Sequence, residues 1–272
     1  MKIAAFYENI VEGARASGVS LESAVRDLMQ EGLELLYISG FAYKDAEDEI
    51  ERLIKSTGVG VEGMYMFYDF GENPEDQSYE WLIDTTKRIG GTNVLLIPGM
   101  LRPEDTEKEK KIANMVCGIR RAAAYGHEKG IDVSMEDFDG PDAPFCTIDG
   151  LAYFLQSVPG LTCSFDTGNF IMEHEDELEA FELFKDRICT MHLKDRAKEG
   201  RYPDVRSKAC KDGALEYPAP VGQGYIRMKE ILDRLKEMNY QGNLIVEMYD
   251  YSPVHMLEGI RESVCWVKKT IS

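Results

Sequence analysis

Leu161–Asp195 reads LTCSFDTGNFIMEHEDELEAFELFKDRICTMHLKD, and it contains one strand, one helix and a second strand in sequence. Thr162–Asp166 is a short apolar run ending in an acid, Asp176–Lys185 has helical spacing, and Ile188–Lys194 is a second apolar run ending in charge. The same alternation recurs in both directions. Upstream, strands are expected at Lys2–Tyr7, Leu33–Ser39, Val59–Phe67, Asn93–Pro98 and Asp132–Phe138, and downstream at Asn243–Tyr249. Helices are expected at Leu21–Glu31, Ala46–Thr57, Glu75–Ile89, Thr106–Lys129, Thr147–Ser157, Ile226–Met238 and Val254–Thr270. Ser20 and Asp45 stand where N-caps are wanted, and Gly32, Gly58, Gly90 and Gly130 follow helix ends. Eight strand–helix units in 272 residues, about 34 residues each, predict a single (β/α)8 TIM barrel over 1–272. A doubly wound open sheet is the alternative, but Phe6-Tyr7-Glu8-Asn9 after the first strand is not a glycine-rich phosphate turn. One connection is long, 195–225 after the seventh strand, and a long loop in a compact domain reads as a functional segment or lid.

Composition narrows the partners. A formal net charge of -18 argues against nucleic acid and against anionic membranes. No apolar run approaches the ~18 residues of a membrane span. MKIAAFYENIVEG lacks a long apolar segment and a small-residue cleavage site, so no secretory signal is expected and the cytoplasm is the expected location. The six cysteines are scattered without a CxxC pair and read as buried, reduced thiols. Self-association is left open.

Barrel chemistry sits at the C-terminal ends of strands, and side chains alternate along a strand. Ser134 and Glu136 share one face of the fifth strand, Ser164 and Asp166 of the sixth, Thr190 and His192 of the seventh, Ile245 and Glu247 of the eighth. The opposite faces are apolar and suit packing on outer helices. Three carboxylates and an imidazole converging at a barrel mouth would repel unless a cation neutralised them. The expected cofactor is therefore one divalent metal ion on Glu136, Asp166, His192 and Glu247. Such an oxygen-rich set with one imidazole suits Mn²⁺ first, with Mg²⁺, Co²⁺ or Zn²⁺ as alternatives.

Five segments, VSMEDF (133–138), SFDTGN (164–169), MHLKD (191–195), PVGQGYI (220–226) and IVEMY (245–249), resemble the xylose isomerase-like TIM barrel superfamily, closest to its sugar phosphate isomerase/epimerase branch. The resemblance covers the C-terminal half by motif and the N-terminal half by pattern. It implies the same four metal ligands, with Glu136 and Glu247 also acting as the acid/base pair. It departs at Asn169, where those epimerases commonly carry a substrate-contacting His. The zinc AP-endonuclease branch needs many His ligands, and this chain has four.

The expected activity is isomerisation or epimerisation of a small-molecule sugar or sugar phosphate by proton transfer through a cis-enediolate. A keto-polyol dehydratase (a lyase) on the same scaffold is the second reading, and a non-catalytic sugar-binding barrel the third. From 194 to 211 seven basic and three acidic residues give +4 in an otherwise acidic chain, which marks a site for a substrate anion or oxygen. Lys198 and Arg201 are the residues put forward there, with Asn169, Asp142 and Asp139 as further substrate contacts. Asp142 also suits a simple turn in Asp139-Gly140-Pro141-Asp142, and Val221-Gly222-Gln223-Gly224 reads as a turn into the next helix.

Overall fold

In the computed structural model, which describes residues 1–272, eight parallel strands close into a barrel. Eleven strands occur in chain order: β1 (Ile3–Phe6), β2 (Leu35–Ser39), β3 (Gly60–Phe67), β4 (Asn93–Ile97), β5 (Asp132–Met135), β6 (Thr162–Asp166), β7 (Ile188–Leu193), β8 (Asp195–Ala197), β9 (Lys208–Ala209), β10 (Leu215–Ala219) and β11 (Asn243–Val246). The barrel order is β1-β11-β7-β6-β5-β4-β3-β2, and β8, β10 and β9 form a separate three-stranded sheet. The helices are α1 (Tyr7–Ser17), α2 (Leu21–Glu31), α3 (Gly40–Thr57), α4 (Tyr79–Arg88), α5 (Lys108–Lys129), α6 (Ile148–Ser157), α7 (Glu177–Phe184), α8 (Met228–Glu237) and α9 (Met256–Ile271). None is long and apolar enough to cross a membrane.

Two local expectations change. Helix α1 was not foreseen. It follows β1 directly, its N-cap Phe6 is extended and offers no side-chain oxygen, and Tyr7, Ile10 and Ala14 supply the buried stripe. Helix α3 starts at Ser39, whose Oγ accepts from the Phe41 amide at 3.2 Å, rather than at Asp45. Near Asp45 there is instead a break, with Ala46 at φ -140° and ψ 33°. Ser20 does cap α2, accepting from the Ser23 amide at 3.2 Å, and Gly32, Gly58, Gly90 and Gly130 all take positive φ. The six cysteines are unpaired. Cys146, Cys163 and Cys210 are buried and Cys189 partly so, but Cys117 and Cys265 are exposed.

The alternation read from the sequence organises the core. Val133 and Met135, Cys163 and Phe165, Met191 and Leu193, and Leu244, Val246 and Met248 are buried among the apolar core residues. Phe165 is fully buried, with ring centroids 5.4 Å from Phe170 and 5.8 Å from Phe181, so Phe165→Ala would cost about 3–5 kcal/mol. The other parity meets in a buried polar cluster, where Ser134 Oγ lies 2.7 Å from Ser164 Oγ and Asn93 Nδ2 donates to Ser134 Oγ at 3.0 Å. These buried hydroxyls satisfy one another, as buried polar groups must.

The 195–225 segment, expected to be a lid, folds into a small sheet of its own. Strand β10 pairs antiparallel with both β8 and β9. Its root is tied by one carboxylate: Asp195 accepts from the amides of Arg196 (2.9 Å), Gly222 (2.8 Å), Gly224 (3.0 Å) and Ile226 (3.3 Å). Glycine is required there. A Cβ on Gly224 would lie 2.1 Å from Asp195 Oδ1, and Gly222, at φ +84°, would put one 2.2 Å from the Trp266 ring. The lid tip docks on the segment after β11. Tyr202 stacks on His255 at 3.7 Å, and the Arg206 amide donates to the Asp250 carbonyl at 3.0 Å.

Candidate metal centre and substrate cavity

Asp166 ends β6, His192 lies in the last turn of β7's pleat, and Glu136 and Glu247 each follow the last residue of β5 and β11. All four therefore stand at the end of the barrel where such enzymes place their chemistry. One ligand atom from each lies within 4.8 Å of the others, and all four residues are buried. His192 Nδ1 is 2.9 Å from Glu136 Oε2 and 3.4 Å from Glu247 Oε2.

The cluster fits a divalent cation. Asp166 Oδ2 and both ring nitrogens of His192 are enclosed without a hydrogen bond of acceptable geometry. Unsatisfied buried groups are costly, and a cation would take the lone pairs of the Asp166 oxygen and of one His192 nitrogen, each residue offering one ligand atom. Without it, protein cations share the task. Lys194 Nζ lies 2.5 Å from Glu247 Oε1, 3.3 Å from Asp166 Oδ2 and 3.8 Å from Asp139 Oδ2. Burial pushes the Glu247 carboxyl up, but Lys194 and His192 outweigh it and hold it at about 2. Burial raises Asp166 to about 7 against the pull of Lys194, and raises Glu136 against the pull of His192. Burial alone would lower His192, yet Glu136 and Glu247 drive it up to about 10.

A cavity of about 380 Å³ opens above these residues. Glu136, Glu247, Asn169, Lys194, Asp139, Arg196 and Lys208 form its polar side, and Phe6, Phe41, Phe67, Leu95, Ile97 and Phe138 its apolar side, with Tyr65 and Tyr249 also lining it. Asn169 is buried, its Nδ2 donating to the Asp137 carbonyl and its Oδ1 accepting from Lys194 Nζ, both at 2.8 Å. Asp139 receives Arg196 Nη2 at 3.0 Å and Lys208 Nζ at 2.5 Å, joining the lid to the segment after β5.

Lys198, Arg201 and Asp142 do not line this cavity. Lys198 pairs with buried Glu216 and donates to Tyr225 Oη at 3.1 Å, because a carboxylate buried under the lid sheet takes the nearest ammonium. Arg201 is bound to Glu262 at 2.6 Å on the outer side, and Asp142 is exposed on its turn. The basic residues that do reach the cavity are Lys194, Arg196 and Lys208, all inside the same positive stretch. Parity carried a usable signal for Lys194, since 190, 192 and 194 share a face. No local signal brings Lys208 or Asp139 together.

A sequence model of the family described as xylose isomerase-like TIM barrel matches residues 24–270. The inosose dehydratase of Lacticaseibacillus casei is 34% identical over 88 residues, 30% of this chain, and the match spans only 28% of that relative's length. The inosose dehydratase of Mesomycoplasma hyopneumoniae (strain 7448) is 24% identical over 276 residues, 93% of this chain and 90% of the relative. Among solved structures, a D-allulose 3-epimerase from Methylomonas sp. superposes with a TM-score of 0.74 at 13% identity, covering 99% of this chain and 98% of that one. The IOLI protein, solved with a binding zinc atom, gives 0.75 at 16% identity, covering 100% and 98%. At these identities the two structures establish a common fold.

Proposed function

This chain belongs to the xylose isomerase-like TIM barrel family, and on that premise we propose that it is a metal-dependent, sugar-modifying enzyme that dehydrates a keto-polyol. The observation that carries this reading is the inequality of the two cavity glutamates. Glu247 is held by Lys194 at 2.5 Å, whereas Glu136 has no lysine partner and is the freer of the two to accept a proton. Paired carboxylates whose environments push them apart divide their roles. One free base suits removal of a single proton followed by loss of a hydroxyl. The named activity of the relative matched over 93% of this chain supports the same choice.

In this mechanism Glu136, Asp166, His192 and Glu247 would hold one divalent ion, Mn²⁺ first among the alternatives, and that ion would supply Lewis acidity to a substrate carbonyl. Glu136 takes the proton from the adjacent carbon. Lys194 favours the ionised forms of Asp166 and Glu247, and Asn169 fixes the direction of its ammonium. Asp139, gripping Arg196 and Lys208, holds the lid over the cavity and limits water. The whole chain acts as one catalytic unit on a small molecule.

A second reading, epimerisation or isomerisation of a sugar, is supported by the approach of both glutamates to one His192 nitrogen, at 2.9 and 3.4 Å. Carboxylates on either side of a small substrate can serve opposite faces. Incubation of Mn²⁺-loaded protein with an inosose and with free ketoses in D₂O separates the two. Dehydration gives an enone-type absorbance with the inosose. Deuterium entering a ketose together with a new epimer, and no absorbance with any keto-polyol, would reverse the preference.

A further inference from the structure

We infer that Glu8 and Tyr65 form a proton-delivery path from an outer groove to the substrate cavity, with Tyr65 as the acid that protonates the departing hydroxyl; this rests on the dehydratase reading. Loss of a hydroxyl as free hydroxide is unfavourable near neutral pH, so an acid must stand beside it. The evident candidate, Lys194, is committed to Glu247, Asp166 and Asn169. His192 belongs to the metal set. The other cavity cations, Arg196 and Lys208, are paired with Asp139, which leaves the phenols of Tyr65 and Tyr249, whose oxygens lie 2.6 Å apart, as the candidates.

What distinguishes Tyr65 is the group behind it. Glu8 lies in the first turn of α1, and its side chain borders a second, outer groove with Glu12, Arg15 and Pro253. Its Oε1 accepts from the Ser39 amide at 2.8 Å, while its Oε2 is enclosed with no hydrogen-bond partner. The Tyr65 hydroxyl is its neighbour on the cavity side. Glu8 thus touches the outer groove on one side and a cavity-lining phenol on the other. A carboxyl with a free oxygen between two spaces is placed to pass a proton rather than to hold structure. Burial raises its pKa to about 7, so it carries a proton near neutrality and can lose it. The titratable groups around it are Tyr65 from β3, Tyr249 from the segment after β11, and Tyr7, Glu12 and Arg15 from α1.

The protons balance without an added reagent. Glu136 takes the proton beside the carbonyl, leaving an enolate that can regain a proton or deuteron; its electron pair then forms the new C=C as the C–O bond breaks. The leaving oxygen takes the Tyr65 phenolic proton and departs as water. Tyr65 takes the Glu8 proton, Glu8 recovers one from water in the groove, and Glu136 returns its own to solvent.

The test uses full-length Mn²⁺-loaded protein and an inosose in D₂O, reading two rates: deuterium entry at the carbon beside the carbonyl, and release of the enone. In Tyr65→Phe, enone release falls roughly 10²-fold or more with KM unchanged, while deuterium entry persists because Glu136 is intact. In Glu8→Gln, the wild-type decline of kcat above about pH 7 disappears and kcat is low throughout. Metal content and melting curves verify folding, and if Tyr65→Phe does not fold, the Glu8→Gln pH profile decides. Full enone release in Tyr65→Phe, a parallel fall of both rates, or an unchanged pH profile in Glu8→Gln overturns the inference while leaving the dehydratase reading intact. Wild-type protein that exchanges the proton but never releases enone overturns both.

Discussion

Replacing Lys194 with methionine keeps most of the side-chain volume and removes the ammonium from a buried site. Three carboxylates, Glu247, Asp166 and Asp139, lie 2.5, 3.3 and 3.8 Å from that nitrogen. Removing one partner of a buried ion pair costs about 3–5 kcal/mol, because the charge left behind is uncompensated. At about 2–4 °C per kcal/mol for a chain of this size, the metal-free melting temperature should fall by roughly 10 °C at pH 8. A divalent ion replaces part of the lost charge, and without Lys194 it meets less repulsion, so saturating Mn²⁺ should narrow the gap to wild type. The gap should also narrow in acid. Glu247 is held below its ordinary 4.5 at about 2, so the stability it contributes is present above 4.5 and is lost as pH falls through 2. The assay is thermal melting with EDTA and with Mn²⁺, from pH 3 to 8. A gap under about 2 °C in EDTA, or one that Mn²⁺ leaves unchanged, would refute the view that Lys194 substitutes for a cation.

Asp166→Ala should purify with little bound divalent metal, measured by elemental analysis, and wild-type occupancy would remove Asp166 from the ligand set. Lys198→Ala and Arg201→Ala should leave KM within about twofold, whereas Arg196→Met or Lys208→Met should raise it roughly tenfold, as one lost charged hydrogen bond in the cavity would; equal effects in all four would contradict the cavity geometry. Glu8→Gln should be more stable than wild type at alkaline pH. The Glu8 carboxyl is raised from 4.5 to about 7 by burial, so wild-type stability is full below 4.5 and declines as pH rises through 7, a difference of about 3 kcal/mol that the neutral amide does not suffer. Denaturant unfolding at pH 5 and pH 9 checks it, and a variant equally destabilised at both values would mean the carboxyl is a structural acceptor only.

The barrel and the four converging side chains were readable because both depend on local periodicity. A residue two positions from Ser134, Ser164, Thr190 or Ile245 must share its face, and parallel strands bring the shared faces to one end. Parity also pointed Lys194 inward, but it stands beside the basic run and was counted with the loop's charge. The path of that loop was not readable. Lys198 turns away because Glu216, eighteen positions on, is buried beneath it, and Lys208 meets Asp139 across 69 positions. The first pairing extends the antiparallel register of β8 and β10, the second joins the lid to the segment after β5, and no local pattern encodes either. Helix α1 was missed for a simpler reason. Phe6 carries no capping oxygen, so the chain passes from strand to helix without the polar punctuation that marked α2.

Asp195 gathers four amides from both ends of the lid into one knot. Everything between Ala197 and Pro220 is therefore a cassette with a fixed footprint on the barrel. Its interior can lengthen, shorten or change composition without disturbing the strands that carry Glu136, Asp166, His192 and Glu247, provided the aspartate and the two glycines at its root are kept. Grafting a different cassette onto this footprint offers a route to new substrates on an unchanged catalytic floor, with the scaffold and the selector varied independently.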